Sequence, residues 1–293
     1  MQFYLNGYAP GDPDIQAAAP GTEKHSANLP DAVDVLIIGS GPAGALLAAQ
    51  LSTFAGISTR LIERRHGPLQ VGQADGIACR TVEMFEAFGL SQKLIREAYW
   101  VNETVFWRPS KADRSRIERT GRIQDTEDGL SEFPHVIVNQ ARLQQYLLEY
   151  ARQSPTRLEA NYGLEFVTLK VEAAGAYPVV VTLRNADSGA ETTIRAKYVV
   201  GCDGARSAVR DSIGAVPRGD FANHAWGVVD MLATTDFPDI RLNLSSAKFV
   251  GQELLRQERL NQAQVEARRY YIGRVLFKKR FTQNAHRGLH RAI

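Results

Sequence analysis

Residues 33 to 44 read Val33-Asp34-Val35-Leu36-Ile37-Ile38-Gly39-Ser40-Gly41-Pro42-Ala43-Gly44. The apolar, β-branched run bounded by glycine predicts a short strand buried on both faces, as in a parallel sheet. The small and aliphatic residues from Ala43 to Phe54 predict a helix, and Thr59 to Glu63 predicts a second strand. Strand, helix and strand in immediate succession form a β-α-β unit, which points to the α/β class.

The glycine spacing gives this unit a purpose. Gly39 permits the tight turn, Gly41 has no Cβ to hold a pyrophosphate off the backbone, and Gly44 lets the helix pack closely on the strand. The helix N-terminus adds unpaired N–H groups and a partial positive charge. Glu63 ends the second strand 24 residues after Gly39, where an acid is expected to bond ribose hydroxyls. Arg64 follows it and is grouped with the cofactor-binding residues. The reading is dinucleotide binding through an adenosine ribose without a 2′-phosphate, with FAD and NAD both left open and a purely structural β-α-β unit as the alternative.

A second glycine turn stands at Tyr198-Val199-Val200-Gly201-Cys202-Asp203-Gly204-Ala205-Arg206-Ser207-Ala208-Val209-Arg210. It reads as the end of a buried strand, a turn at Asp203-Gly204 and the start of a helix. Another nucleotide would need another three-glycine turn, and this is not one.

The bulk composition narrows the class. The 293 residues suffice for one large domain or two modest ones, and 44% hydrophobic with 23% charged residues is ordinary for a soluble globular chain. No apolar run approaches the ~18 residues of a membrane span, and the N-terminus lacks a secretory pattern. Cys79 and Cys202 are far apart and in no metal-ligand spacing, which fits a reducing, cytoplasmic setting, excludes a dithiol flavin reductase and leaves no metal site.

Around these motifs, residues 1 to 30 read as an irregular arm rich in Pro, Gly and Ala. Thr81 to Phe88 has helical spacing, Glu103 to Trp107 suggests a strand, and 108 to 132 is charged and irregular. Asn139 is placed as the N-cap of a helix from Ala141 to Gln153. Glu165 to Val171, Val179 to Leu183 and Thr192 to Ala196 read as a β-meander, with a further buried strand before Asp203.

The Asp203-Gly204 turn, taken with the first glycine motif, resembles the fingerprint of the class A flavoprotein monooxygenases, the aromatic hydroxylases. The stretches Gly72-Gln73-Ala74-Asp75-Gly76-Ile77-Ala78-Cys79-Arg80-Thr81-Val82-Glu83 and Asp125-Thr126-Glu127-Asp128-Gly129-Leu130-Ser131-Glu132-Phe133-Pro134-His135 are similar to the phenol hydroxylase branch, as is Trp226-Gly227-Val228-Val229-Asp230. The resemblance implies one FAD gripped by both turns, with Asp203 and Gly204 organising the region near the pyrophosphate, rather than a plain NAD-binding protein. It implies reduction by NAD(P)H and hydroxylation, with O2, of a phenolic aromatic acid of the 3-hydroxybenzoate kind. Asp75 matches the position that would accept the phenol's hydrogen bond, with an Asp-Gly turn residue as the alternative. His135 matches a contact to the substrate carboxylate, or else is a satisfied core histidine. Arg80 and Gln140 match positions touching the cofactor, with surface or capping roles as alternatives.

After Arg241 the resemblance stops. Residues 241 to 293 hold 12 Lys/Arg against 3 Asp/Glu and no proline, while all 12 prolines precede them. The Gly-Asp pairs at 11-12 and 219-220 are not in the context of the family's second flavin motif. The expectation is a truncated product whose last residues come from a shifted frame or a retained intron, with a helix from Gly251 to Tyr271 and a basic, solvated end. The fold expected is α/β: a Rossmann-like FAD-binding domain, its parallel sheet with helices on both sides, with a small β-meander and an incomplete substrate domain. The boundaries are an arm at 1–30, the FAD domain at 31–94 and 139–214, substrate-domain segments at 95–138 and 215–240, and a basic tail at 241–293. The alternative function is a non-catalytic, FAD- or nucleotide-binding remnant. Neither nucleic acid nor membrane is expected as a partner; a homodimer is expected of full-length relatives.

Overall fold

The computed structural model describes residues 15–22, 28–70, 72 and 75–219 in full, and the backbone of strands at 3–4, 7–8, 224–233, 243–246 and 271–280. In chain order the first elements are β1 (Phe3–Tyr4), β2 (Gly7–Tyr8), β3 (Ala32–Ile38), α1 (Pro42–Leu51), β4 (Thr59–Glu63), β5 (Gly76–Ile77), α2 (Cys79–Ala87) and α3 (Ser91–Glu97). They are followed by β6 (Tyr99–Val101), β7 (Glu103–Pro109), β8 (Ile117–Gln124), β9 (His135–Ile137), α4 (Gln140–Gln153), β10 (Ala160–Tyr162), β11 (Leu164–Val171) and β12 (Val179–Asn185). The last are β13 (Glu191–Gly201), α5 (Ala208–Ser212), β14 (His224–Ala233), β15 (Asn243–Ser246) and β16 (Tyr271–Arg280).

The chain divides into two compact units. The first comprises 1–75, 85–97 and 138–218; the second comprises 76–84, 98–137 and 219–293. The first unit holds a six-stranded sheet in the order β10-β4-β3-β13-β12-β11. β10, β4, β3 and β13 run parallel, and β12 and β11 continue the sheet antiparallel. Successive residues of β3 face opposite ways, so both faces need cover. Ile37 packs with Leu61, Ala48 of α1 and Ala151 of α4. Leu36 and Ile38 pack on the other face with Ile62, Phe166, Val181, Leu183 and Val209. Helices α1 and α4 therefore cover one face, whereas the other is closed by the meander strands and the short α5.

Two expectations are corrected. The last meander strand and the strand before Asp203 are one continuous strand, β13. Its first half pairs antiparallel with β12 and its second half parallel with β3. Lys197, which falls between the two expected strands, is an exposed strand residue whose ammonium lies 2.5 Å from Asp34 Oδ1. Residues 108–132 are not wholly irregular, because β8 pairs antiparallel with β7. Its exposed, charged side chains hide the strand from any apolar pattern; Arg122 of β8 pairs with Glu103 of β7.

Other boundaries shift slightly. Helix α1 ends at Leu51, and Ser52–Phe54 form turns. Asn139 caps α4 as expected, its side chain accepting from the Ala141 N–H at 2.8 Å. The N-terminal arm includes the β1–β2 pair. The helix expected over 251–271 falls on residues of which 251–270 lie outside those described.

The second unit contains a β5-β9-β6 sheet and a β15-β7-β8 sheet, and in its backbone β14 pairs antiparallel with β16. The Trp226–Asp230 stretch lies on β14. Among the described residues no helix is long and apolar enough to cross a membrane.

Candidate cofactor site

The first glycine loop joins β3 to α1, and each of its glycines is explained differently. Gly39 has φ +98°, a left-handed conformation that favours glycine, and a Cβ there would come within 2.5 Å of the Cys202 carbonyl oxygen. A Cβ on Gly44 would overlap the Gly39 carbonyl and reach 3.2 Å from the Cys202 Cβ. These two glycines are demanded by the protein itself. Gly41 is not: among the described residues no atom beyond its chain neighbours lies within 4 Å of where its Cβ would stand, and its φ is −58°. The space over Gly41 is therefore open to a ligand that must approach the backbone closely.

Helix α1 begins at Pro42 with no side-chain cap and no acidic residue in its first turn. The Ala45 N–H closes the first helical turn onto the Gly41 carbonyl at 2.9 Å. The N–H groups before it point out of the helix end, where the helix dipole favours an anion.

Glu63, at the end of β4, is 4% exposed. Its Oε2 accepts the Ser40 N–H at 2.9 Å and the Ser40 hydroxyl at 2.8 Å. Its Oε1 accepts the Arg65 N–H at 3.0 Å. Burial, the largest single influence, works against the charged form. The N–H groups of Arg65 and Ser40, the Ser40 hydroxyl and the Arg65 guanidinium together outweigh it and hold the carboxyl below its ordinary range. A carboxylate offers about four acceptor positions, and these three bonds leave one, on Oε1, for a hydroxyl donor such as a ribose. Open space at Gly41, an uncapped helix end and an ionised acid with spare acceptor capacity fit the dinucleotide half of FAD.

The second turn abuts the first. The Cys202 N–H donates to the Ile38 carbonyl at 2.7 Å, and the Gly39 N–H to the Ile62 carbonyl at 2.8 Å. The Asp203 Cα lies 3.0 Å from the position a Gly39 Cβ would take. Asp203 spends its carboxylate within its own turn. Oδ1 accepts the Ser207 hydroxyl at 2.5 Å and Oδ2 the Val209 N–H at 3.1 Å, while Ser207 caps α5 through the Arg210 N–H at 3.0 Å. Gly204 takes φ +89°, and among the described residues nothing beyond its chain neighbours lies within 4 Å of where its Cβ would stand. Burial, and then the Asp203 charge, push the Cys202 thiol up, which keeps it protonated.

One residue that the sequence did not single out joins these parts. Gln144 of α4 is wholly buried. Its Nε2 donates to the Ser40 carbonyl, and its Oε1 accepts the Leu69 N–H at 2.6 Å. The glycine loop, the acid and the loop after β4 are thus one hydrogen-bonded assembly held from α4. The available signal was a glutamine inside the apolar stripe of Leu143, Leu147 and Ala151.

The structure brings Gly39, Gly41, Gly44, Glu63, Asp203 and Gly204 together in the first unit. Arg64 is exposed beside Glu63. Gln140 opens α4, and a Cβ on Gly72 would come 2.5 Å from the Gln140 Cβ. Asp75 is half-buried, and its carbonyl accepts the Val138 N–H at 2.9 Å. In the second unit, the Arg80 side chain is 91% exposed and lies 3.5 Å from Glu83. His135 sits on β9 with its Nδ1 2.9 Å from Asp125 Oδ2, a partner the sequence reading did not assign. Among the described residues no cluster of three or more His, Cys, Asp or Glu side chains is arranged to hold a metal.

Comparison with known proteins shows the family. The FAD binding domain family model matches residues 32–256. The chain is 52% identical over 259 residues to 3-hydroxybenzoate 4-monooxygenase of Comamonas testosteroni, covering 87% of this chain and 40% of that protein. It is 34% identical over 214 residues to a phenol 2-monooxygenase of Aspergillus fumigatus, covering 73% of this chain and 35% of the relative. A solved ternary complex of aklavinone-11 hydroxylase with FAD and aklavinone superposes with a TM-score of 0.56 at 26% identity, over 68% of this chain and 38% of that one. The chain therefore spans well under half the length of these relatives. With both glycine turns and the acid-ended strand in place, it belongs to the FAD binding domain family, of the kind carried by the class A flavoprotein monooxygenases.

Proposed function

We propose that this chain is the FAD-binding part of a monooxygenase that hydroxylates a phenolic aromatic acid with NAD(P)H and O2. The observation that carries the reading is the 52% identity to 3-hydroxybenzoate 4-monooxygenase over 259 residues, which include the glycine loop, Glu63 and the Asp203 turn. FAD, when bound and reduced by NAD(P)H, supplies the oxygen chemistry.

The chain's own residues bind and orient. The N-terminus of α1 and the open face of Gly41 take the pyrophosphate, and Glu63 takes a ribose hydroxyl. Gln144 keeps the loop in the geometry that receives the phosphates. Asp75 accepts the hydrogen bond of the substrate phenol, whose pKa near 10 must be overcome to push electron density into the ring. His135 meets the substrate's carboxylate, and we assign the second unit to substrate binding on that account.

The test is turnover. The FAD-loaded protein, given NADH or NADPH, should consume O2 faster with 3-hydroxybenzoate than without it and release a dihydroxybenzoate. Oxidation of the reduced nicotinamide with no hydroxylated product, for 3-hydroxybenzoate and for related phenolic acids alike, would refute the reading.

A further inference from the structure

A neutral imidazole carries one N–H, and its place is set by the hydrogen bond the ring makes. In His135, Nδ1 stands 2.9 Å from Asp125 Oδ2. An ionised carboxylate can only accept, so the proton of the neutral ring belongs on Nδ1. Asp125 is itself braced. Its Oδ1 accepts the Thr104 hydroxyl at 3.2 Å, and its N–H donates to the Asn102 carbonyl at 3.0 Å. Thr104 is on β7, so three separate segments of the second unit fix this pair.

The pair is partly accessible, with 22% of the His135 side chain and 18% of the Asp125 side chain exposed. Opposite His135, across the strand ladder, stands the apolar Val101 of β6. On β5, a Cβ added to Gly76 would come 3.0 Å from His135 Nε2, so the glycine leaves free the space that a side chain would take beside this nitrogen. Among the described residues Asp125 is the charged group bonded to the ring.

We propose that Asp125, braced by Thr104, is a positioning residue that holds the His135 proton on Nδ1 and leaves Nε2 for the ligand, so that His135 receives an aromatic carboxylate only as an imidazolium with Asp125 as its counter-charge. The inference rests on the reading of His135 as the residue that meets the substrate's acid group. A neutral His135 in this tautomer offers a carboxylate a lone pair, which repels it. A proton taken from solvent onto Nε2 converts that nitrogen into a charge-assisted donor. The Asp125–His135 pair then selects an aromatic acid over the corresponding neutral phenol.

The test has two readouts on the FAD-loaded, 15N-labelled protein. The first is the His135 tautomer, read from one-bond and two-bond 1H–15N correlations where the ring is neutral. Wild type should carry the proton on Nδ1, and D125A should release it to Nε2. A wild-type ring protonated on Nε2, or a tautomer unchanged in D125A, would overturn the proposal. The second is binding of benzoate and of phenol, followed through the flavin absorbance. D125N should weaken benzoate roughly 10-fold, the scale of one hydrogen bond to a charged group, and leave phenol unchanged. Equal losses for both ligands would overturn the proposal, because a loosened sheet gives that result. If wild type shows the Nδ1 tautomer but no preference for benzoate and no response of His135 to it, the acid-group reading fails while the positioning by Asp125 stands.

Discussion

Replacing Gln144 by leucine removes the two partners that its amide supplies, one to the glycine loop and one to the loop after β4. Ser40 is wholly buried, so its carbonyl would lose its donor with no water to replace it, at about 1–3 kcal/mol. Leu69 is half-buried, and its N–H would recover part of its loss through solvent. The leucine side chain returns roughly 1–2 kcal/mol as added apolar burial. These terms nearly cancel, so the apo protein should melt close to wild type. The cofactor senses a different quantity. A glycine loop free to turn its Ser40 carbonyl away must be brought back before phosphate can sit on it, and that cost falls on binding. At about 1–3 kcal/mol, FAD affinity should drop roughly 10- to 100-fold in Q144L. Titration of the apo protein with FAD, followed by flavin fluorescence and run beside a thermal melt, measures both. Wild-type FAD affinity together with a lowered melting temperature would refute the argument, because Gln144 would then be a packing residue alone.

Three further outcomes follow from the same geometry. Gly41→Ala should leave the apo melt unchanged but weaken FAD binding, whereas Gly44→Ala, whose Cβ overlaps the Gly39 carbonyl, should destabilise the fold by about 1–3 kcal/mol or more; melts and FAD titrations of the two variants separate the roles. D203N turns an NH2 toward a donor that now meets a carboxylate oxygen, so calorimetry should report a loss of about 1–3 kcal/mol. The Lys197 ammonium, followed by the Ser58 hydroxyl and N–H, holds the Asp34 carboxyl down at about 2, against an ordinary 3.8. A depressed carboxyl stabilises the fold above its ordinary value and loses that contribution as pH falls. Urea midpoints should therefore fall between about pH 4 and pH 2 in wild type, and D34N should remove that part of the slope.

What the sequence disclosed is what local physics dictates. A left-handed turn at Gly39, a missing Cβ at Gly44 and an acid at the last position of β4 are fixed by a few neighbouring residues, and they stand where expected. Asn139 was legible as a cap for the same reason. The continuity of β13 was not, because Lys197, the charged residue between its two apolar runs, is satisfied by Asp34 more than 160 residues earlier in the chain. Strand β8 exists through backbone pairing with β7 and buries too little to leave a period-2 pattern. Gln144 and Asp125 act through partners brought close only by folding: Ser40 lies 104 residues from Gln144, and His135 reaches Asp125 across an intervening loop. A polar residue inside an apolar helical stripe was the one sign of the first, and nothing local marked the second.

The measurement that bears most directly on the account is the visible absorption spectrum of the purified chain after addition and removal of excess FAD. The account predicts a bound-flavin spectrum approaching one FAD per chain, lost in a Gly41→Val variant that still folds. A folded, colourless protein that takes up no FAD would contradict it, because the glycine loop, Glu63 and the Asp203 turn would then not suffice to hold the cofactor they frame.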